Sequence, residues 1–168
     1  MPVSIDTFRG VMSRWTSGIT VVTSQLADAR HGMVASSFSS LSTDPVSVLF
    51  CADHGTRTYP LVRDSGIFAV SILSSEQEDT FWLFAGRKGD PAADRFSLAE
   101  HFTAVTGAPI LKHSIAWMDC RVLAEHRGGN THSIFVGEVL EADFGADEQL
   151  APLVYFNRKV RHLADAAE

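Results

Sequence analysis

The sequence predicts a mainly β fold, a small antiparallel barrel with peripheral helices, on three observations. Six stretches dominated by Val, Ile and Phe, at 19–24, 31–38, 46–53, 67–73, 114–126 and 132–144, recur between turn residues. The breaks near Ala27 to His31 and at Gly128-Gly129-Asn130 are of hairpin length, which joins antiparallel neighbours. The regular strand–helix alternation of a parallel doubly wound sheet is missing.

The chain opens with a different pattern. Ile5, Phe8, Met12 and Trp15 fall at helical spacing behind Ser4, a candidate N-cap, so an amphipathic helix is expected, ended by Gly18. Short helices are expected over Thr56 to Arg63 and Glu76 to Phe84, and a mobile loop with a helical turn over Pro91 to Phe102. No internal repeat, low-complexity tract or linker divides the 168 residues, so one domain, 1–168, is expected.

Composition narrows the function classes. With 45% hydrophobic residues the chain can bury a real core, which excludes intrinsic disorder. No apolar run approaches the ~20 residues that span a bilayer. Met1 to Trp15 lacks the basic start and apolar stretch of a signal peptide, so a cytoplasmic protein without a membrane partner is expected. The formal charge of −6 and the scattered Lys and Arg argue against a nucleic-acid partner. Cys51 and Cys120 lie in apolar segments and read as buried free thiols, in keeping with a reducing compartment.

Common catalytic signatures are absent: no G-x-G-x-x-G after a strand, no phosphate loop, no G-x-S-x-G and no H-E-x-x-H. No histidine pair stands at a helical metal spacing. His126 and His132 straddle a hairpin turn without carboxylate or Cys companions, so no metal is expected.

Three segments remain. Ser36 to Ser42 is a hydroxyl-rich run, either a solvated loop or a cradle whose N–H groups and hydroxyls hold a phosphate without formal charge. Ala52 to Thr58 ends a strand and begins a helix near Thr56, either an ordinary Thr N-cap with a surface Arg57 or a phosphate site at a helix N-terminus. Phe81 to Asp90 joins aromatics to Ala85-Gly86 and Arg87-Lys88, either core or a platform for a ring system and its charged tail.

In this order the segments resemble the flavin reductase-like family, from about Phe8 to Leu163. The matching elements are Phe8-Arg9 with Ser17 to Thr23, Gly32 to Ser42 with Asp44-Pro45, Phe68 to Leu73 with Gln77, and Phe84-Ala85-Gly86. Gly107-Ala108-Pro109, Ala116 with Cys120-Arg121-Val122, His132 to Val139 and Pro152 to Phe156 complete the series. Three positions depart from the family pattern: Thr131 replaces an Asp before His132, Val34 a Thr, and Ser71 an Asn.

The resemblance implies an FMN-binding split barrel of Greek-key type. It implies flavin contacts at Val34, Ala35, Ser36, Ser37 and Ser40, at Cys51, Ala52, Asp53, Thr56 and Thr58, and at Phe84, Ala85, Gly86 and Arg87. His132 maps to the nicotinamide side of the site. Cys51 reads as a small apolar wall residue.

The implied function is an NAD(P)H-dependent flavin reductase that passes hydride from NADH to FAD or FMN and supplies reduced flavin to a separate monooxygenase, usually as a homodimer. Hydride then passes directly between cofactors, which accounts for the missing catalytic triad. NADH is preferred to NADPH because no pair of basic residues stands ready for a 2′-phosphate, and the flavin is exchangeable because no dense Arg cluster surrounds one phosphate. The alternative is a flavin-binding electron-transfer or storage protein of the same fold; His132 and the following Gly137-Glu138-Val139 favour the enzyme. A pyridoxamine-phosphate oxidase type is more distant, for want of a basic phosphate site.

Overall fold

A computed structural model of the chain describes residues 2–90, 93–147 and 149–163. Pro91 and Ala92, the start of the expected loop, lie outside the described residues. A seven-stranded antiparallel sheet is assembled from β2 (Thr20–Leu26), β3 (Ala29–Ala35), β4 (Phe38–Thr43), β5 (Val46–Asp53), β6 (Ile67–Ile72), β9 (Ala116–Arg127) and β10 (His132–Phe144). Its order is β3-β2-β6-β9-β10-β5-β4. β1 (Ser17–Gly18), β11 (Leu153–Phe156) and β12 (Lys159–His162) form a second sheet, and β7 (His101–Thr103) pairs with β8 (Pro109–Leu111).

The strands β3 and β4 are consecutive in the chain yet sit at opposite edges of the large sheet. The chain crosses between them through Ser36 and Ser37, and the Cys51 N–H donates to Ser37 O (3.3 Å), tying the crossing to β5. This curls the sheet into a barrel with a seam between β3 and β5.

Alternation within each strand decides what faces the interior. Inside lie Val22, Met33, Val48, Phe50, Ala52, Phe68, Val70, Cys120 and Phe135. Phe50 packs on Phe68 (centroids 4.9 Å apart) and on Phe135 (5.4 Å). Gly137 leaves the room for this cluster: a Cβ there would stand 2.3 Å from Phe68 Cζ. Gly137 is thus required by the packing of the barrel. Outside β2, Ile19, Val21 and Leu73 pack on Phe81, Leu83 and Phe84 of helix α3 (Glu78–Phe84) and on Leu153.

Helix α1 (Ile5–Met12) begins as expected, with Ser4 Oγ accepting from the Thr7 N–H at 3.1 Å. It ends at Met12, earlier than Gly18, which lies in β1 and pairs with Val154 of β11, a long-range partner invisible to local pattern. Its apolar face, Ile5, Phe8 and Met12 with Trp15 beyond, is exposed. Helix α2 (Thr58–Ser65) starts two residues after Thr56. The run Ser36 to Ser42 is mostly the edge strand β4, paired with β5, and only Ser36 and Ser37 form a crossing.

Cys120 is buried and its thiol is pushed up to about 12, by burial first and then by Asp119; Cys51 is half-buried, and both thiols are free. No helix among the described residues is long and apolar enough to cross a membrane.

Candidate functional site

A cleft of about 590 Å3 opens along the barrel seam. Met33, Val34 and Ala35 of β3, the crossing residues Ser36 and Ser37, and Cys51 and Asp53 of β5 form one side. Thr56 in the turn after β5, Phe84, Ala85 and Arg87 at and just past the end of α3, and His132 at the start of β10 add to the lining. All of these but Met33 are residues the sequence singles out.

Four singled-out residues do not line the cleft, for physical reasons. Ala52 alternates with Cys51 and Asp53, so its side chain belongs to the barrel interior and is fully buried. Thr58 is also buried, its hydroxyl bonded to His31 Nδ1 at 2.9 Å. Ser40 lies on the exposed edge strand past the crossing. Gly86 adopts φ +71°, closing α3 with its N–H on Leu83 O, and its Cβ position faces Arg95 Nη2.

Ile19, Phe81, Trp82 and Tyr155 also line the cleft. Trp82 and Phe81 lie in the aromatic segment already noted, but Tyr155 arrives only through the pairing Ser17↔Tyr155. The apolar wall depends on a close approach at Gly32, where a Cβ would stand 2.7 Å from Phe84 Cε1.

Ser36, Ser37, Asp53, Thr56, Arg87, His132 and Tyr155 supply the polar part of the lining. Ser36 Oγ has no hydrogen-bond partner among the described residues, whereas Ser37 Oγ accepts from the Cys51 N–H at 3.2 Å. Thr56 Oγ1 donates to Asp53 O (2.8 Å) and accepts from the Tyr59 N–H (3.3 Å), so this hydroxyl shapes the turn before it meets a ligand. Arg87 lies over the Trp82 ring, 5.9 Å from its centroid.

His132 Nδ1 bonds Thr131 Oγ1 at 2.9 Å, so Thr131 orients the ring without supplying the charge an Asp would bring. A network holds the base of this hairpin. The Ser133 hydroxyl donates to Glu125 Oε1 (2.6 Å), as does Tyr59 (2.9 Å), and His54 Nε2 bonds Ser133 Oγ at 3.0 Å. The Ser133 hydrogen bond is the main cause holding the Glu125 carboxyl below the usual range, against its desolvation. Among the described residues no three His, Cys, Asp or Glu side chains are grouped to hold a metal ion.

A cleft whose lining mixes small apolar residues and aromatics with hydroxyls and an arginine suits a flat ring system bearing a polar tail. The pattern of a flavin reductase like domain matches residues 12–164. The chain belongs to the flavin reductase-like family. This flavin reductase-like chain is 32% identical over 160 residues to an FMN reductase (NADH) RutF of Agrobacterium fabrum, covering 95% of this chain and 88% of that protein. It is 35% identical over 158 residues to the reductase component of a Thermus thermophilus 4-hydroxyphenylacetate 3-monooxygenase, covering 94% and 96%. Among solved structures, the Streptomyces globisporus C-1027 NADH:FAD oxidoreductase SgcE6 in complex with NAD and FAD fragments is 28% identical with a TM-score of 0.87, covering 100% of this chain and 99% of that one. Its flavin reductase neighbours are of the split-barrel type, as expected of the fold.

Proposed function

We propose that the protein is an NADH-dependent flavin reductase that passes hydride to FAD or FMN and supplies the reduced flavin to a separate flavin-dependent monooxygenase. The observation that carries this reading is the seam cleft, which gathers the unbonded Ser36 hydroxyl, Arg87 and His132 beside apolar and aromatic side chains.

When bound, the flavin supplies the two-electron acceptor, so the chain's task is to bind, orient and release. Val34, Ala35, Phe84 and Ala85 hold the ring plane. Ser36 offers its uncommitted hydroxyl, and Thr56 and Arg87 stand at the phosphate-bearing end. His132, oriented by Thr131, has its Nε2 available to position the nicotinamide carrier at the open side.

Replacing His132 with Ala is expected to raise KM for NADH about tenfold, the loss of one hydrogen bond to a positioned group, with KM for flavin little changed. Equal NADH KM values in variant and parent would reject the assignment.

The partner reading includes a second copy of this chain. The exposed Phe8, Met12 and Trp15 line a groove of about 480 Å3 that shares Ser36, Ser37 and Tyr155 with the cleft, and Trp15 is 72% exposed. Light scattering should give twice the chain mass, and Trp15→Glu should halve it. A monomer in the parent protein contradicts the dimer.

A further inference from the structure

A second cavity, of about 350 Å3, adjoins the cleft and plays no part in the scheme above. Its walls carry Arg30 and His31 of β3, Arg57 from the turn before α2, and Asp94 and Arg95 from the short 3-10 turn Arg95–Ser97 and its cap. Scattered in sequence, these cations converge in space.

Residues lining the cavity neighbour those lining the cleft at three points. Arg57 follows Thr56 in the chain. Arg95 Nη1 donates to Phe84 O (2.8 Å) and to Gly32 O (3.2 Å). His31 and Met33, two residues apart, lie on the same face of β3.

The charges are unevenly matched. Arg30 is paired with Asp94 (2.7 Å) and also touches His101 Nε2. Among the described residues Arg95 bonds only neutral carbonyls, and burial together with the like charge of Arg57 lowers its proton affinity. His31 is 8% exposed; its Nδ1 bonds Thr58 Oγ1, while Nε2 is buried with no partner among the described residues. Burial, then Arg95 and Arg57, push His31 down to about 4 against the opposing pull of Asp94. One guanidinium, Arg95, held half-buried against carbonyls beside an imidazole with an unused nitrogen is the arrangement an anion relieves.

We propose that this cavity is an anion subsite for the second phosphate of a dinucleotide flavin, so that FAD is held in preference to FMN. The proposal rests on the reading that the cleft holds flavin with its phosphate end at Thr56. A mononucleotide ends at the Thr56–Arg57 corner, and only a diphosphate continues past it toward Arg95 and His31.

Fluorescence titration with riboflavin, FMN and FAD tests this, on the parent and on His31→Gln, which keeps an amide to meet Thr58. FAD should bind at least about tenfold more tightly than FMN to the parent, the scale of one charge-assisted hydrogen bond. His31→Gln should shrink that gap to about twofold and leave riboflavin and FMN unchanged. Independently of any variant, NMR of the His31 ring in the parent should show its protonation midpoint rise on adding ADP.

Equal affinity for FAD and FMN in the parent overturns the proposal, as does a variant that weakens all three flavins alike. An ADP-insensitive His31 overturns it too. Inorganic phosphate matching ADP would make this a free-anion site, and a loss confined to NADPH binding would assign it to the nicotinamide carrier; either rejects the dinucleotide flavin. If no flavin binds the parent, the functional reading itself fails, and the FAD assignment with it.

Discussion

Replacing Gly137 with Ala lowers stability by about 3 kcal/mol, at the upper end of the usual cost of overpacking a core. The added Cβ would stand 2.3 Å from Phe68 Cζ and 3.3 Å from Cys120 Cβ. Neither side gives easily: Phe68 is fully buried against Phe50, and Gly137 is paired to Val48 on one flank and Val122 on the other. The urea midpoint should fall at unchanged m-value, and adding Phe68→Leu should recover part of the loss, since the two sites share one volume. An unchanged midpoint in Gly137→Ala would mean that β10 shifts freely, contrary to its double pairing.

Acidification exposes the second large effect. His31 titrates at about 4 in the folded protein because it is buried and faces Arg95 and Arg57, with Asp94 pulling the other way and the Thr58 hydroxyl on Nδ1. In the unfolded chain it titrates near its ordinary 6.5. As pH falls below 6.5 the unfolded chain takes up the proton first, so stability drops, levelling off only below about 4 where the folded protein is protonated as well. At ~1.4 kcal/mol per pKa unit the loss is about 3 kcal/mol, and above 6.5 the group contributes no slope. Urea unfolding at a series of pH values should therefore give a profile that His31→Gln flattens between pH 6.5 and 4. Parallel profiles for parent and variant would contradict the assignment.

The sequence carried the long, locally patterned elements and lost those defined by distant partners. β5 and β10 occupy the expected 46–53 and 132–144, because Val, Ile and Phe dominate them and turn residues bound them. β1, β11 and β12 are two to four residues long and exist through pairing with one another, which no local window registers. The serine run was legible as chemistry but not as geometry: pairing with β5 makes Ser39 to Ser42 an edge strand and leaves Ser36 and Ser37 at the cleft.

The same holds for the site. The cleft gathers Val34 to Ser37, Cys51, Asp53, Thr56, Phe84, Ala85, Arg87 and His132 from four separate segments. Ala52 and Thr58 share those segments but turn inward, a distinction set by strand alternation and by the bond to His31. Arg30, Arg57 and Arg95 looked scattered along an acidic chain, and only the fold gathers them beside the cleft.

The central claim is turnover of reduced nicotinamide through this cleft. Mixing the protein with NADH and an excess of FAD or FMN, while following the absorbance of the reduced nicotinamide, tests it most directly. The absorbance is expected to fall only when flavin is present, at a rate that scales with protein concentration. NADH that persists unchanged when flavin is added would contradict it.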